Sequence, residues 1–256
     1  MACSGSGSPT GAPVQASSTA VRRLEQQRRI PGQQVVSARL TPRPVQVDLG
    51  GRIVSTWGYD DTLPGPLIRA RAGDLLRVEV ANQLPAQTSV HWHGLALSND
   101  MDGVPGLTQD PIAAGARFDY EFTVPDSGTY FYHSHSGLQL DRGLYGALII
   151  DDPNEPGDYD HDWIVVLDDW LDGTGRTPDD VARDLGIGAT GEGGDAPMGG
   201  MNHGAMGGMD GMDMGEESML SPLLGGAGDV SYPLFLVGGR VPEDPMVFTA
   251  RPGQRA

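Results

Sequence analysis

The sequence predicts an all-β protein, with a β-sandwich or barrel over residues 34–152 and the incomplete start of a second β-domain over 153–256. Two observations carry this. From about Gln34 onward apolar residues recur with a period of two in short runs, and glycine- and proline-bearing turns separate those runs. A third observation sets the limit: three or four strand patterns follow residue 162, too few to close a second sandwich.

Residues 1–33 read as a tether, because the first twenty are almost entirely Gly, Ser, Ala and Pro. Within the tether, Thr19 to Arg29 is predicted as a short helix with Val21 and Leu24 on one face, ended by Pro31-Gly32. Strands are predicted at 35–40, 43–48, 51–58, 74–80, 88–93, 117–124, 128–135 and 145–150. The clearest is Arg117–Val124, where Phe118, Tyr120, Phe122 and Val124 share one face and Arg117, Asp119, Glu121 and Thr123 the other. Residues 151–162 are an acidic linker containing prolines. Strand patterns return at 163–168, 232–238 and 246–249, around a Gly- and Met-rich stretch at 186–229 that has neither period and is expected to be mobile. The acidic run at 168–184 reads as a solvated face.

Composition narrows the function classes. A formal charge of −17 opposes binding to nucleic acid or to anionic lipid surfaces. One cysteine in 256 residues excludes a disulfide framework and a Cys-based zinc ribbon. No apolar run reaches the roughly 18 residues of a membrane span. Cys3, followed by Ser4-Gly5-Ser6-Gly7-Ser8, resembles the lipidated start of a mature bacterial lipoprotein, although the apolar core of an export signal is missing. Either the true start lies upstream or Cys3 has no such role.

Four of the six histidines fall in two pairs, His91-Trp92-His93 and His133-Ser134-His135. Positions i and i+2 of a strand project from one face, so two neighbouring strands would gather four imidazoles. Imidazole suits Cu, Zn, Fe and Ni alike, and the pairs alone do not choose among them. Trp92 and Tyr132 alternate away from the histidines and are expected in the core. Other metal and hydrolase folds fit less well. The Asp-His of a metallo-β-lactamase, the Glu that follows a cupin His pair and a nucleophile-elbow serine are all missing from the expected places. A zinc hydrolase on the four histidines lacks a placed general base. His161, among acidic neighbours, reads as a solvated linker residue.

From Ser89 to Ile150 the chain resembles the multicopper oxidases, the family of laccases, cuprous oxidases and copper-resistance oxidases. The resemblance rests on His91-Trp92-His93-Gly94, Met101-Asp102-Gly103-Val104-Pro105-Gly106 with Thr108-Gln109, Gly128-Thr129-Tyr130-Phe131-Tyr132-His133-Ser134-His135, and Gly143-Leu144-Tyr145-Gly146. It implies a cupredoxin-like Greek-key sandwich over 34–152, followed by an incomplete second cupredoxin-like domain. It also implies half the ligands of a trinuclear copper cluster: His91 on the type 2 copper, His93 and His133 on one type 3 copper, and His135 on the other. Asp102 matches a family carboxylate thought to deliver protons during O₂ reduction, and a turn residue at Asp102-Gly103 is its alternative reading.

The family's remaining cluster histidines and its blue type 1 site belong to a C-terminal cupredoxin domain. Its His-x-x-His-x-His and His-Cys-His motifs do not occur in these 256 residues. The blue site needs a thiolate, and the only cysteine is Cys3. The chain therefore reads as the N-terminal part of an exported oxidase that couples one-electron oxidation of Cu(I) or a phenol to reduction of O₂, and that is inactive alone. A second signal is Met198, Met201, Met206, Met209, Met212, Met214 and Met219, with His203 among them. Thioethers select Cu(I), so this segment is expected to capture copper, with a plain loop as its alternative. A non-enzymatic copper-sequestering protein built on that segment and the histidine pairs is the rival reading of the whole chain.

Overall fold

The computed structural model describes residues 14–185 and 230–256. A helix, α1 (Thr19–Arg28), precedes nine strands: β1 (Val35–Leu40), β2 (Pro42–Asp48), β3 (Ile53–Tyr59), β4 (Gly65–Arg71), β5 (Leu75–Ala81), β6 (His91–His93), β7 (Arg117–Thr123), β8 (Gly128–His133) and β9 (Tyr145–Asp151). Beyond them come β10 (Leu167–Trp170), the helix α2 (Pro178–Asp184) and β11 (Leu234–Val237).

Two sheets form the main sandwich, in the orders β1-β5-β7 and β4-β9-β8-β6. The pairs β1–β5 and β4–β9 are parallel, and β5–β7, β9–β8 and β8–β6 are antiparallel. The predicted sandwich is present, and among the described residues neither sheet closes into a barrel. The inward residues of the two sheets build one core. Leu76, Val78, Val80, Tyr120 and Phe122 meet Ile68, Trp92, Tyr132, Leu148 and Ile150, each nearly or fully buried. The period-two pattern of β5 and β7 is the direct imprint of this packing.

A smaller cluster lies outside the sandwich. Leu49 and Val54, from the β2–β3 hairpin, pack with Trp170, Leu236 and Val241. The antiparallel β10–β11 pair is thereby held against the hairpin.

Several expectations are corrected. The strand β4 was not anticipated, because Pro66 opens it and only Ile68 and Ala70 point inward, between Arg69 and Arg71. The helix α1 buries neither Val21 nor Leu24; Leu24 is exposed, and the buried residue is Glu25, whose Oε1 accepts the Thr123 backbone N–H at 2.6 Å. Pairing of a lone carboxylate with a strand donor leaves no periodic apolar signature. Residues 246–249 form no strand, and β10 starts at Leu167 instead of 163. Part of the acidic run at 168–184 is the helix α2, opened by a capping box between Thr177 and Asp180 with Pro178 at its first turn. The Gly/Met-rich stretch 186–229 lies outside the described residues.

Candidate metal centre

The histidines sit where β6 meets β8. Antiparallel register sets His91 opposite His133, Trp92 opposite Tyr132, and His93 opposite Phe131. Alternation sends Trp92 and Tyr132 into the core, both fully buried, and leaves the three imidazoles on the outer face. The nitrogens of His91, His93 and His133 lie within 4.8 Å of one another.

His135 arrives differently. β8 ends at His133, so His135 is not carried by the strand, contrary to the expectation of a strand through 135. Ser134 breaks the alternation: its N–H donates to Leu144 O at 2.9 Å and its carbonyl takes the His133 Nδ1 bond. The His135 ring nevertheless joins the group, 5.5 Å from the His91 ring and 6.2 Å from that of His133, centroid to centroid.

Hydrogen bonds fix which nitrogen His91 and His133 present. His91 Nδ1 lies 2.7 Å from the backbone carbonyl of Asp102, with the Asp102 carboxylate 3.4 Å away, and His133 Nδ1 lies 2.9 Å from Ser134 O. A carbonyl only accepts, so both rings carry hydrogen on Nδ1 and leave Nε2 with a lone pair that can bind a metal. Gly103 makes the first of these contacts attainable. With φ at +79° it carries the 99–106 loop so close to β6 that an added Cβ would lie 1.8 Å from Val90 O.

The electrostatics differ from ring to ring. The Asp102 hydrogen bond raises the pKa of His91 against the opposing effect of burial. Burial, together with the neighbouring histidines, lowers His133 to about 4, so it is neutral and ligand-ready at pH 7. Phe131, which the sequence reading passed over as a strand residue, stacks on His93 at 4.6 Å and on His133 at 5.0 Å. Its only sequence signal is its place two residues before His133, on the same face.

The donor set fits a first-row metal ion. His93 Nδ1 faces His133 Nε2 at 3.2 Å. Two imidazole nitrogens bound at about 2.0–2.1 Å to one ion with a near-tetrahedral angle stand roughly 3.3 Å apart. Neutral nitrogen ligands of this kind accept Cu or Zn.

Met198, Met201, His203, Met206, Met209, Met212, Met214 and Met219 lie outside the described residues, as does Cys3. His161 packs edge-on to Phe248, 5.5 Å between ring centroids, away from this centre. Among the described residues no helix is long and apolar enough to cross a membrane.

The family model described as multicopper oxidase matches residues 43–155. The multicopper oxidase MmcO of Mycobacterium tuberculosis is 49% identical over 221 residues, covering 86% of this chain and 41% of that protein. Copper resistance protein A of Escherichia coli is 51% identical over 112 residues, covering 43% of this chain and 18% of that protein. The crystal structure of a multi-copper oxidase from Pseudomonas thermotolerans superposes with a TM-score of 0.54 at 36% identity, covering 59% of this chain and 39% of that one. The chain thus spans about two-fifths or less of the length of these curated relatives.

Proposed function

Residues 43–155 being a domain of the multicopper oxidase family, we propose that this chain supplies half the histidines of a trinuclear copper cluster in an exported oxidase. That oxidase couples one-electron oxidation of a reducing substrate, Cu(I) or a phenol, to reduction of O₂ to water. The observation that carries the reading is the convergence of the His91, His93 and His133 nitrogens within 4.8 Å on one sheet face.

In this reading His93 and His133 hold one type 3 copper, supported by the facing Nδ1 and Nε2 at 3.2 Å. His91, turned separately by Asp102, holds the type 2 copper, and His135 the second type 3 copper. The coppers, when bound, supply one-electron steps and a place for O₂ to bind. The protein's own share is to fix the hydrogen of His91 and His133 on Nδ1, through their bonds to carbonyl oxygens, so that Nε2 is the nitrogen offered to a metal. Reduction of O₂ to water consumes four protons, and in this reading Asp102, whose carboxylate lies 3.4 Å from His91 Nδ1, relays them from solvent. Trp92 and Tyr132 give the two strands their anchorage in the core. The Met-rich stretch at 198–219 is assigned to feeding Cu(I) to the oxidase, its thioethers being soft ligands.

The test is His133→Ala in the oxidase that contains this chain. O₂ uptake should be abolished while the blue absorbance of the type 1 site persists. Turnover retained in that variant overturns the ligand assignment.

A further inference from the structure

Of the four candidate ligands, His135 is the one that strand pairing does not place, and a buried amide stands where that placement is made. Gln139, 8% exposed, accepts two hydroxyl hydrogen bonds on Oε1, from Thr88 Oγ1 at 2.7 Å and Ser134 Oγ at 2.8 Å. Its Nε2 donates to Gln87 O at 2.8 Å. Both lone pairs of the carbonyl are thus used, and both hydroxyl donors come from fully or almost fully buried residues. The main chain of Gln139 is tied as well: its N–H donates to Ser136 O and its carbonyl accepts from Leu144 N, each at 3.2 Å.

These contacts join the two approaches to the metal centre. Residues 87–89 lead into β6 and His91, and residues 134–136 carry His135. Ser134 Oγ also accepts from Ser136 N at 3.2 Å, while His135 N donates to Ser89 Oγ at 3.3 Å. His135 is flanked by Ser134, which bonds the Gln139 side chain, and donates to Ser89, next in the chain to Thr88, which bonds the same side chain.

We propose that Gln139 is a positioning residue for His135, setting the fourth imidazole relative to His91 and His133 through the Thr88 and Ser134 hydroxyls. The consequence for copper binding rests on the function proposed above. The positioning itself is a property of the metal-free chain and can be read there.

The experiment has two arms. In the first, the imidazole Cε1–H resonances of the metal-free chain are compared by NMR among wild type, Gln139→Ala, Gln139→Glu and Ser134→Ala. Gln139→Ala should move and broaden the His135 resonance while leaving that of His93 in place. Gln139→Glu, which keeps an accepting oxygen for the Thr88 and Ser134 hydroxyls but loses the Nε2 donor to Gln87 O, should hold the His135 resonance nearer to wild type than Gln139→Ala does. An unchanged His135 resonance in Gln139→Ala overturns the proposal, and so does a shift in Gln139→Glu as large as that in the alanine variant. Should Gln139→Ala fail to fold, Ser134→Ala decides alone: a displaced His135 resonance supports the proposal and an unmoved one overturns it. In the second arm Cu(II) is titrated in and the bound imidazole nitrogens are counted by EPR. Gln139→Ala should lose one nitrogen and about tenfold in affinity, the usual scale for removing the support of a metal ligand. Wild-type chain that binds no Cu(II) through imidazole nitrogen overturns the copper-cluster reading, and the first arm still decides the role of Gln139.

Discussion

The two hydrophobic clusters do different work. Beneath the histidines, β6 and β8 rest on the large sandwich core, where Trp92 meets Tyr120, Phe122 and Tyr132 at ring-centroid distances of 5.5, 5.3 and 6.0 Å. Around Trp170, the β10–β11 pair rests on the β2–β3 hairpin through five buried residues, next to half-buried or buried carboxylates: Asp141, Asp168 and Asp172. The first region positions imidazoles by burying aromatics directly behind them. The second keeps a short ribbon in place at the cost of crowding acidic groups. Loss of the first core should therefore cost the metal centre, and loss of the second only the ribbon.

The largest expected effect is Trp92→Ala. Truncating a fully buried tryptophan costs about 3–5 kcal/mol, so chemical denaturation should show that loss together with disappearance of Cu(II) binding. Trp170→Ala should destabilise by an amount of the same order but act locally. Hydrogen exchange should accelerate in β10–β11 and the hairpin, with β6 and β8 protected as before; equal deprotection of both regions would merge the two clusters into one cooperative unit.

Acid separates the regions by sign. Burial and its histidine neighbours depress His133 to about 4, so the unfolded chain binds the more protons and this contribution is lost as pH falls from about 6.5 towards 4. Asp168 is raised to about 6, first by burial and then by Asp169 and Asp141, against the Tyr145 hydrogen bond. Its folded form binds the more protons, so the ribbon gains stability as pH falls through 6 towards the ordinary carboxylate value. His91, raised by Asp102, stabilises below the ordinary histidine value and loses that as pH rises through its folded pKa. Hydrogen exchange on the metal-free chain at pH 6.5 and 4.5 should show protection rising in β10 relative to the β6–β8 pair. The smallest effect is expected from Arg69→Ala. It removes an exposed pair of bridges to Asp151 and Asp162 and should cost no more than about 1 kcal/mol, shrinking further in salt.

Much of this was legible in the residues. The alternation of Phe118, Tyr120, Phe122 and Val124 announced β7 because one face of that strand is buried and the other is wet. The His91-Trp92-His93 pair pointed to the centre because residues two apart share a strand face. β4 stayed hidden behind Pro66 and two arginines, since a strand at a sheet edge needs few inward residues to qualify. Glu25 stayed hidden because a buried carboxylate bonded to a strand N–H follows no hydropathy rule. The strand argument does not hold for His135, as β8 stops two residues short.

The sequence by itself determined the sandwich and the identity of the candidate ligands, because side-chain period and ligand chemistry are local properties of the chain. Only the tertiary structure decided which nitrogen His91 and His133 present, that Phe131 stacks on two of the rings, and that Gln139 ties the approach to His91 to the turn carrying His135. The Thr88–Gln139 bond joins residues 51 positions apart, and the contact of His91 with Asp102 rests on a glycine whose use depends on a neighbouring strand. Local patterning carries no record of such pairings, because they form only once β6, β8 and their flanking loops are packed on a common core.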